Sequence, residues 1–251
     1  MKTVIVHYHI FKNSGSTFDK VLGMNFPGRH LAFDGPFDFS KISQDELLKI
    51  LHNRDEIAFS SHQVNLPVPT SLDVQILPVV FIRHPLLRLR SIYRFRKRGA
   101  NDAGMPASFR EWVQRSAAEP RGMLALSNAQ TRNLAAVYGR LAIHRRGADG
   151  GFCLDLSQAL RNLDAVELLA RTEFFDHDVQ RFSGVLRAHG IAFSYDGITP
   201  ENVTATDLSA PLDERLEATR GELGDELYEK LLAWNAQDLQ LVAYANARLD
   251  G

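Results

Sequence analysis

Thr3-Val4-Ile5-Val6-His7-Tyr8-His9-Ile10 runs without a break into Phe11-Lys12-Asn13-Ser14-Gly15-Ser16-Thr17, and the junction between the two decides the fold. The first stretch is apolar and rich in β-branched residues, so Thr3 to Ile10 reads as a buried strand; the second is small and polar, the signature of a strand ending and a helix beginning. A turn of this kind aims backbone N–H groups and a helix N-terminus at one place, which suits a phosphate or a sulfate. Lys12 adds a positive charge there, and Ser16 and Thr17 add hydroxyl donors. It is not a Walker A loop, because the lysine precedes the glycine by three positions instead of following it. Taken by itself the turn is equally compatible with an ordinary capped helix start.

Further along, apolar runs at Glu56 to Ser61, Gln75 to Ile82 and Val166 to Arg171, with a weaker one near Phe152 to Asp155, alternate with segments of helical period. That alternation predicts an α/β fold with a central parallel sheet covered on both faces. Ser43 with Glu46 and Ser108 with Glu111 have capping-box spacing, Pro85 suits the first position of a helix ending near Gly99, and one last long helix is expected from Asp225 to Arg248. Asn101 to Pro106, Arg145 to Gly151 and Tyr195 to Pro211 read as loops.

Composition narrows the function. The 251 residues are 45% hydrophobic and 24% charged, enough for one domain spanning residues 1–251 with a full core. A formal net charge of −1 argues against a general nucleic-acid binder. The single cysteine, Cys153, forms no internal disulfide and no cysteine-type zinc site. No apolar run reaches about 18 residues, so no membrane span is expected, and the reading is of a cytoplasmic protein.

The second chemistry-bearing segment is Pro78-Val79-Val80-Phe81-Ile82-Arg83-His84-Pro85, followed by the basic stretch that carries Arg88, Arg90, Ser91, Tyr93, Arg94 and Arg96. Arg83 stands at the carboxyl end of a buried strand, where open α/β sheets bind ligands, and its planar fork fits a phosphate. Ser91, about two helical turns further on, can face the same cavity. Most of the remaining arginines are expected to form a solvated basic face.

These two segments together resemble the sulfotransferases that use 3′-phosphoadenosine 5′-phosphosulfate. In that family a strand ending His-Ile-Pro-Lys-Thr-x-Gly-Thr-Ser forms the loop for the 5′-phosphosulfate, and a later Arg-Asp-Pro-x-x-Arg-x-x-Ser-x-Tyr binds the 3′-phosphate. Here His9-Ile10-Phe11-Lys12-Asn13-Ser14-Gly15-Ser16-Thr17 is similar to the first and Arg83-His84-Pro85 through Ser91-Ile92-Tyr93 to the second. Asn128-Ala129-Gln130-Thr131-Arg132, Arg171-Thr172-Glu173-Phe174-Phe175 and Asn202-Val203-Thr204 also resemble family segments, the last lying close to the nucleotide, and the nearest branch acts on glycans at the 2-O position. Phe11 stands where the family has proline, His84 where it has an acidic or amide residue, and the loop after Asn202 lacks the family's basic residues.

The resemblance implies a P-loop-NTPase-like three-layer α/β/α fold with additional C-terminal helices. It implies transfer of a sulfuryl group to a hydroxyl acceptor, either a small molecule or a glycan. Lys12, Asn13, Ser14, Gly15, Ser16, Thr17, Arg83, Ser91 and Asn202 would hold the donor, and Lys12 and His62 would be catalytic. His62 matches the family's catalytic base; a histidine, with an ordinary pKa near 6.5, takes up a hydroxyl proton at neutral pH. A structural histidine at a strand end is the other reading of His62. His7 and His9 read as buried or cofactor-adjacent, and no metal is expected because no cluster shows metal-ligand spacing. Two other classes stay open: a kinase-like P-loop transferase, and a nucleotide- or glycan-binding protein without activity.

Overall fold

The computed structural model describes residues 1–34, 41–99, 104–135, 154–197 and 210–251. Five strands, β1 (Lys2–Tyr8), β2 (His30–Ala32), β3 (Ala58–Ser61), β4 (Val74–Ile82) and β5 (Leu168–Arg171), form one sheet in the order β2-β3-β1-β4-β5. Every pairing in it is parallel. After β3 the chain crosses β1 to reach β4, so the carboxyl ends of these three strands meet where the strand order reverses, the place where open α/β sheets hold ligands. The fold is thus the P-loop-like three-layer α/β/α arrangement expected from the sequence.

Helix α1 (Gly15–Asn25) follows β1, α2 (Gln44–His52) precedes β3, and α3 (Pro85–Gly99) follows β4. Four helices, α4 (Phe109–Ala117), α5 (Pro120–Leu126), α6 (Ala129–Ala135) and α7 (Leu156–Asp164), lead to β5; α8 (Phe175–Ala188) follows it. The chain closes on α9 (Leu212–Leu223), α10 (Asp225–Trp234) and α11 (Ala236–Asp250). The Ser43 capping box at α2 is complete: Ser43 Oγ accepts from Glu46 N at 3.1 Å and Glu46 Oε2 from Ser43 N at 2.8 Å. Ser108 caps α4 through Glu111 N, while the Glu111 carboxylate turns to Ala107 N.

Alternation along β1 divides the core. Val4, Val6 and Tyr8 pack with α2, α7 and α11 on one face, whereas Ile5 packs with Phe18 and Leu22 of α1 and Phe182 of α8 on the other. Side chains as large as the fully buried Phe18 and Phe81 contribute about 1.5–3 kcal/mol each by leaving water. A third cluster, with Leu89, Trp112, Val113, Leu223 and Leu231, joins α3 to α4, α9 and α10.

Three expectations need correction. The single helix from Asp225 to Arg248 is two helices, because Asn235 leaves helical geometry and spends its side chain on tertiary bonds to Leu126 O and Asn128 N. Leu154 and Asp155 are not in a strand; Asp155 caps α7 by accepting from Gln158 N at 2.8 Å. The edge strand β2 was not anticipated, since three residues are too few to show a period. Arg145 to Gly151 and most of Tyr195 to Pro211 lie outside the described residues.

Candidate functional site

The turn after β1 is held open by strain and by buried cations. Lys12 and Ser14 both sit at positive φ, 66° and 61°, although neither is glycine. The carbonyls of the turn are tied back: Arg88 Nε donates to Phe11 O at 3.0 Å and Arg83 Nη1 to Lys12 O at 2.8 Å. Helix α1 then starts at Gly15, and its first N–H groups have no preceding turn to bond to. Gly15 is obligatory there, since a Cβ would lie 1.5 Å from His9 Nε2.

Beneath the turn is a chain of buried amides and one carboxylate. Asn13 Nδ2 donates to Phe81 O and to Gln130 Oε1, each at 2.7 Å. Gln130 Oε1 also accepts from Arg83 N at 2.9 Å, and Gln130 Nε2 donates to Arg83 O at 2.8 Å. Asp238, on α11, accepts from Gln130 N at 3.1 Å, Thr131 N at 2.8 Å and Thr131 Oγ1 at 2.8 Å, so its charge meets the N-terminus of α6. A single side chain, Gln130, thereby joins the turn after β1 to the end of β4.

His62, just past β3, is oriented by a partner that no motif announced. Its Nδ1 lies 2.9 Å from Asp34 Oδ2, and Asp34 Oδ1 accepts from His62 N at 2.9 Å and from Ser61 Oγ at 2.9 Å. The ring stacks on His9 with centroids 3.8 Å apart, and the Phe11 ring is 6.3 Å away. The His62 side chain keeps 27% of its surface exposed. From below, the buried Lys41 donates to His62 O at 2.7 Å and Val64 O at 2.9 Å, and burial pushes its ammonium down to about 8 against the opposing pull of Asp34. A carboxylate on Nδ1 favours the tautomer with its proton there, which leaves Nε2 with the lone pair of a base.

Lys12 Nζ lies 4.4 Å from the Phe95 ring centroid, a cation–π distance. Burial, then the charges of Arg83 and Arg98, lower it to about 8, so the ammonium stands in a cationic surround that an anion would relieve.

The fold brings together most of the site residues expected from the sequence, with differences. Lys12, Ser14, Ser16, Thr17 and His62 gather at the carboxyl ends of β1 and β3, with Arg83 beside them at the end of β4. Asn13 is 1% exposed and braces the turn from within instead of facing a ligand. Arg83, besides its bond to Lys12 O, has Nε 3.5 Å from Glu173 Oε1, and burial raises the Glu173 carboxyl despite that cation. Ser91 is partly buried on α3, and Asn202 lies outside the described residues.

The expected solvated basic face is only half there. Arg88 and Arg90 are buried, 6% and 8% exposed, Arg88 holding Phe11 O and Arg90 pairing with Glu222 of α9. Asp34, Lys41 and Asp238 complete the site from positions that no spacing rule singles out, and Gln130 does so from the segment Asn128 to Arg132 marked by resemblance. One cluster also revises the expectation about metal geometry: ligand atoms of His7, His9 and Asp19 lie within 4.8 Å of one another, which the fold achieves by placing α1 over β1.

No protein-family model matches the chain. It is similar to an uncharacterized protein of Archaeoglobus fulgidus, 27% identical over 252 residues that cover 96% of this chain and 94% of the relative. The two align over nearly their whole lengths.

Proposed function

We propose that the protein is a sulfotransferase that moves a sulfuryl group from 3′-phosphoadenosine 5′-phosphosulfate to a hydroxyl acceptor, with a carbohydrate as the acceptor class the resemblance favours. The observation that carries this reading is the His62–Asp34 pair, an oriented imidazole set one ring away from a strained turn rich in small residues and backed by Lys12. An oriented base beside an anion-suited turn is what an in-line displacement at sulfur requires, because such transfers depend on positioning and charge stabilisation.

In the proposed step the acceptor oxygen forms a bond to sulfur as the bond from sulfur to the bridging oxygen of the donor breaks. The hydroxyl proton passes to His62 Nε2, and Asp34 stabilises the imidazolium through Nδ1. Lys12 and the N–H groups at the start of α1 meet the negative charge left on the 5′-phosphate. Arg83 and Ser91 would hold the 3′-phosphate, with Gln130 fixing the backbone of Arg83 on both sides.

Calorimetric titration tests the donor. The protein should bind 3′-phosphoadenosine 5′-phosphate about 10²-fold or more tightly than adenosine 5′-phosphate, since two charge-assisted bonds contribute about 1.5–3 kcal/mol each. Arg83→Ala should erase most of that preference, and Lys12→Ala and His62→Ala should each abolish most turnover of labelled donor. Equal affinity for the two nucleotides would overturn the reading, and turnover of adenosine triphosphate dependent on magnesium would replace it with a kinase-like transferase.

A further inference from the structure

We propose that His7, His9 and Asp19 form a binding site for one divalent transition-metal ion of the zinc class, set in the α1 face of the sheet directly behind His62. The inference concerns binding at this cluster and does not depend on sulfuryl transfer.

The cluster follows from local geometry. His7 lies in β1 and His9 two residues on, just past its end, and their rings stack; Asp19 comes down on them from the second turn of α1. Asp19 Oδ1 lies 3.0 Å from His7 Nδ1, and Asp19 Oδ2 lies 4.0 Å from His9 Nδ1. In a tetrahedral site with zinc bonds near 2.0–2.1 Å, neighbouring ligand atoms stand about 3.3 Å apart. The two observed separations bracket that edge, and one ligand atom from each of the three residues lies within 4.8 Å of the others, so side-chain rotation brings the donors together.

The donors have the right chemistry. Two imidazoles and one carboxylate are a borderline set that favours zinc, copper or nickel over calcium or magnesium.

The surroundings are those of a built site. His7 is 1% exposed and its ring meets Phe18 and Phe81 edge-on, at 5.1 and 5.8 Å. Asp19 is also bonded by the Ser60 hydroxyl, which itself lies 3.0 Å from His30 Nε2, so the carboxylate is oriented from a second layer. His9, stacked 5.0 Å from His7 and 3.8 Å from His62, links the cluster to the candidate base. An ion on His9 would fix the ring on which His62 rests.

Cobalt(II) titration of the intact, metal-stripped protein tests this, read by the visible d–d absorption of four-coordinate cobalt and by equilibrium dialysis with zinc. One ion per chain is expected. Asp19→Asn and His9→Gln should each weaken it about 100-fold or more, beyond the ~10–100-fold that loss of an outer-layer partner costs. Exchange of the exposed His177 for Ala should change nothing. Circular dichroism checks that each variant is folded, and Asp19→Asn, nearly isosteric, serves if His9→Gln is not. No saturable cobalt binding by the wild type, or undiminished binding by a folded Asp19→Asn variant, overturns the proposal.

Discussion

Asp34 holds His62 with both carboxylate oxygens, one on the backbone N–H and one on Nδ1, each at 2.9 Å. The pair fixes both where the imidazole sits and which nitrogen carries its proton. Asp34→Asn keeps the size of the side chain but puts an amide against Nδ1, favouring the tautomer with the proton on Nε2. Under the proposed chemistry kcat should fall at least about 10-fold, toward the ~10²–10⁴-fold that a general base contributes, while nucleotide affinity stays as in the wild type. Steady-state kinetics beside a calorimetric titration separate the two; a parallel loss of nucleotide binding would mean that Asp34 supports the fold of the site and not the base.

Gly15 and His9 occupy the same space in the sense that a methyl group on one would stand inside the ring of the other. Between His7 and His62 the His9 ring has little freedom to retreat. Gly15→Ala should therefore destabilise the protein by about 1–3 kcal/mol or more, lowering Tm by about 2–4 °C for each kcal/mol. Adding His9→Ala should recover much of that loss. Simple additivity of the two substitutions in a double-mutant cycle would show that the clash is not what makes the glycine necessary.

Asp238 is 1% exposed and satisfies the first turn of α6. Asp238→Ala strips partners from Gln130 N, Thr131 N and Thr131 Oγ1 at once, and each buried donor left alone costs about 1–3 kcal/mol. Chemical denaturation should show a loss of about 3 kcal/mol or more, the range found when buried networks are broken. Asp238→Asn, which keeps one acceptor oxygen, should lose less. Equal stabilities for the two variants would contradict the account.

Lys41 gives a test through pH. Its folded-state pKa, about 8, lies below the ordinary 10.5, so between these values the unfolded chain binds the extra proton. Stability must then rise with pH across that window, the burial of the charged lysine being a cost present in full below about pH 8 and relieved as pH climbs to about 10.5. The difference in unfolding free energy between wild type and Lys41→Met should shift in favour of the wild type by on the order of 3 kcal/mol from pH 7 to pH 10.5, at about 1.36 kcal/mol per pKa unit. A difference that stays flat over this range would show that Lys41 titrates as it does in water.

The layers of this fold were legible because buried parallel strands are largely apolar, as the runs Val4–Val6 of β1, Ile76–Ile82 of β4 and Leu168–Ala170 of β5 are. The strained turn was legible for a similar local reason, since its small residues stand in a row. What joins distant positions left no trace in local pattern. Asp34 becomes a partner of His62 only because β2, which ends two residues before it, pairs with β3. Periodicity ran straight through Asn235, where a tertiary bond to Asn128 outweighed it. Arg88 and Arg90 look like solvated charges on any count of composition, and only the packing of α9 and the turn carbonyls put them inside.

The bracing of the turn by Gln130, and of Gln130 by Asp238, orders events during synthesis. Asn13 leaves the ribosome early, its partner Gln130 is 117 positions later, and Asp238 another 108 positions beyond that. At about 5–20 residues per second, the turn waits roughly 10–50 s for the helix that secures it. A nascent chain lacking α11 would carry the Gln130 and Thr131 donors without their acceptor and leave the strain at Lys12 and Ser14 uncompensated. The turn is thus translated long before the helix that braces it, so during most of its synthesis the chain carries the turn without its support from Gln130 and Asp238.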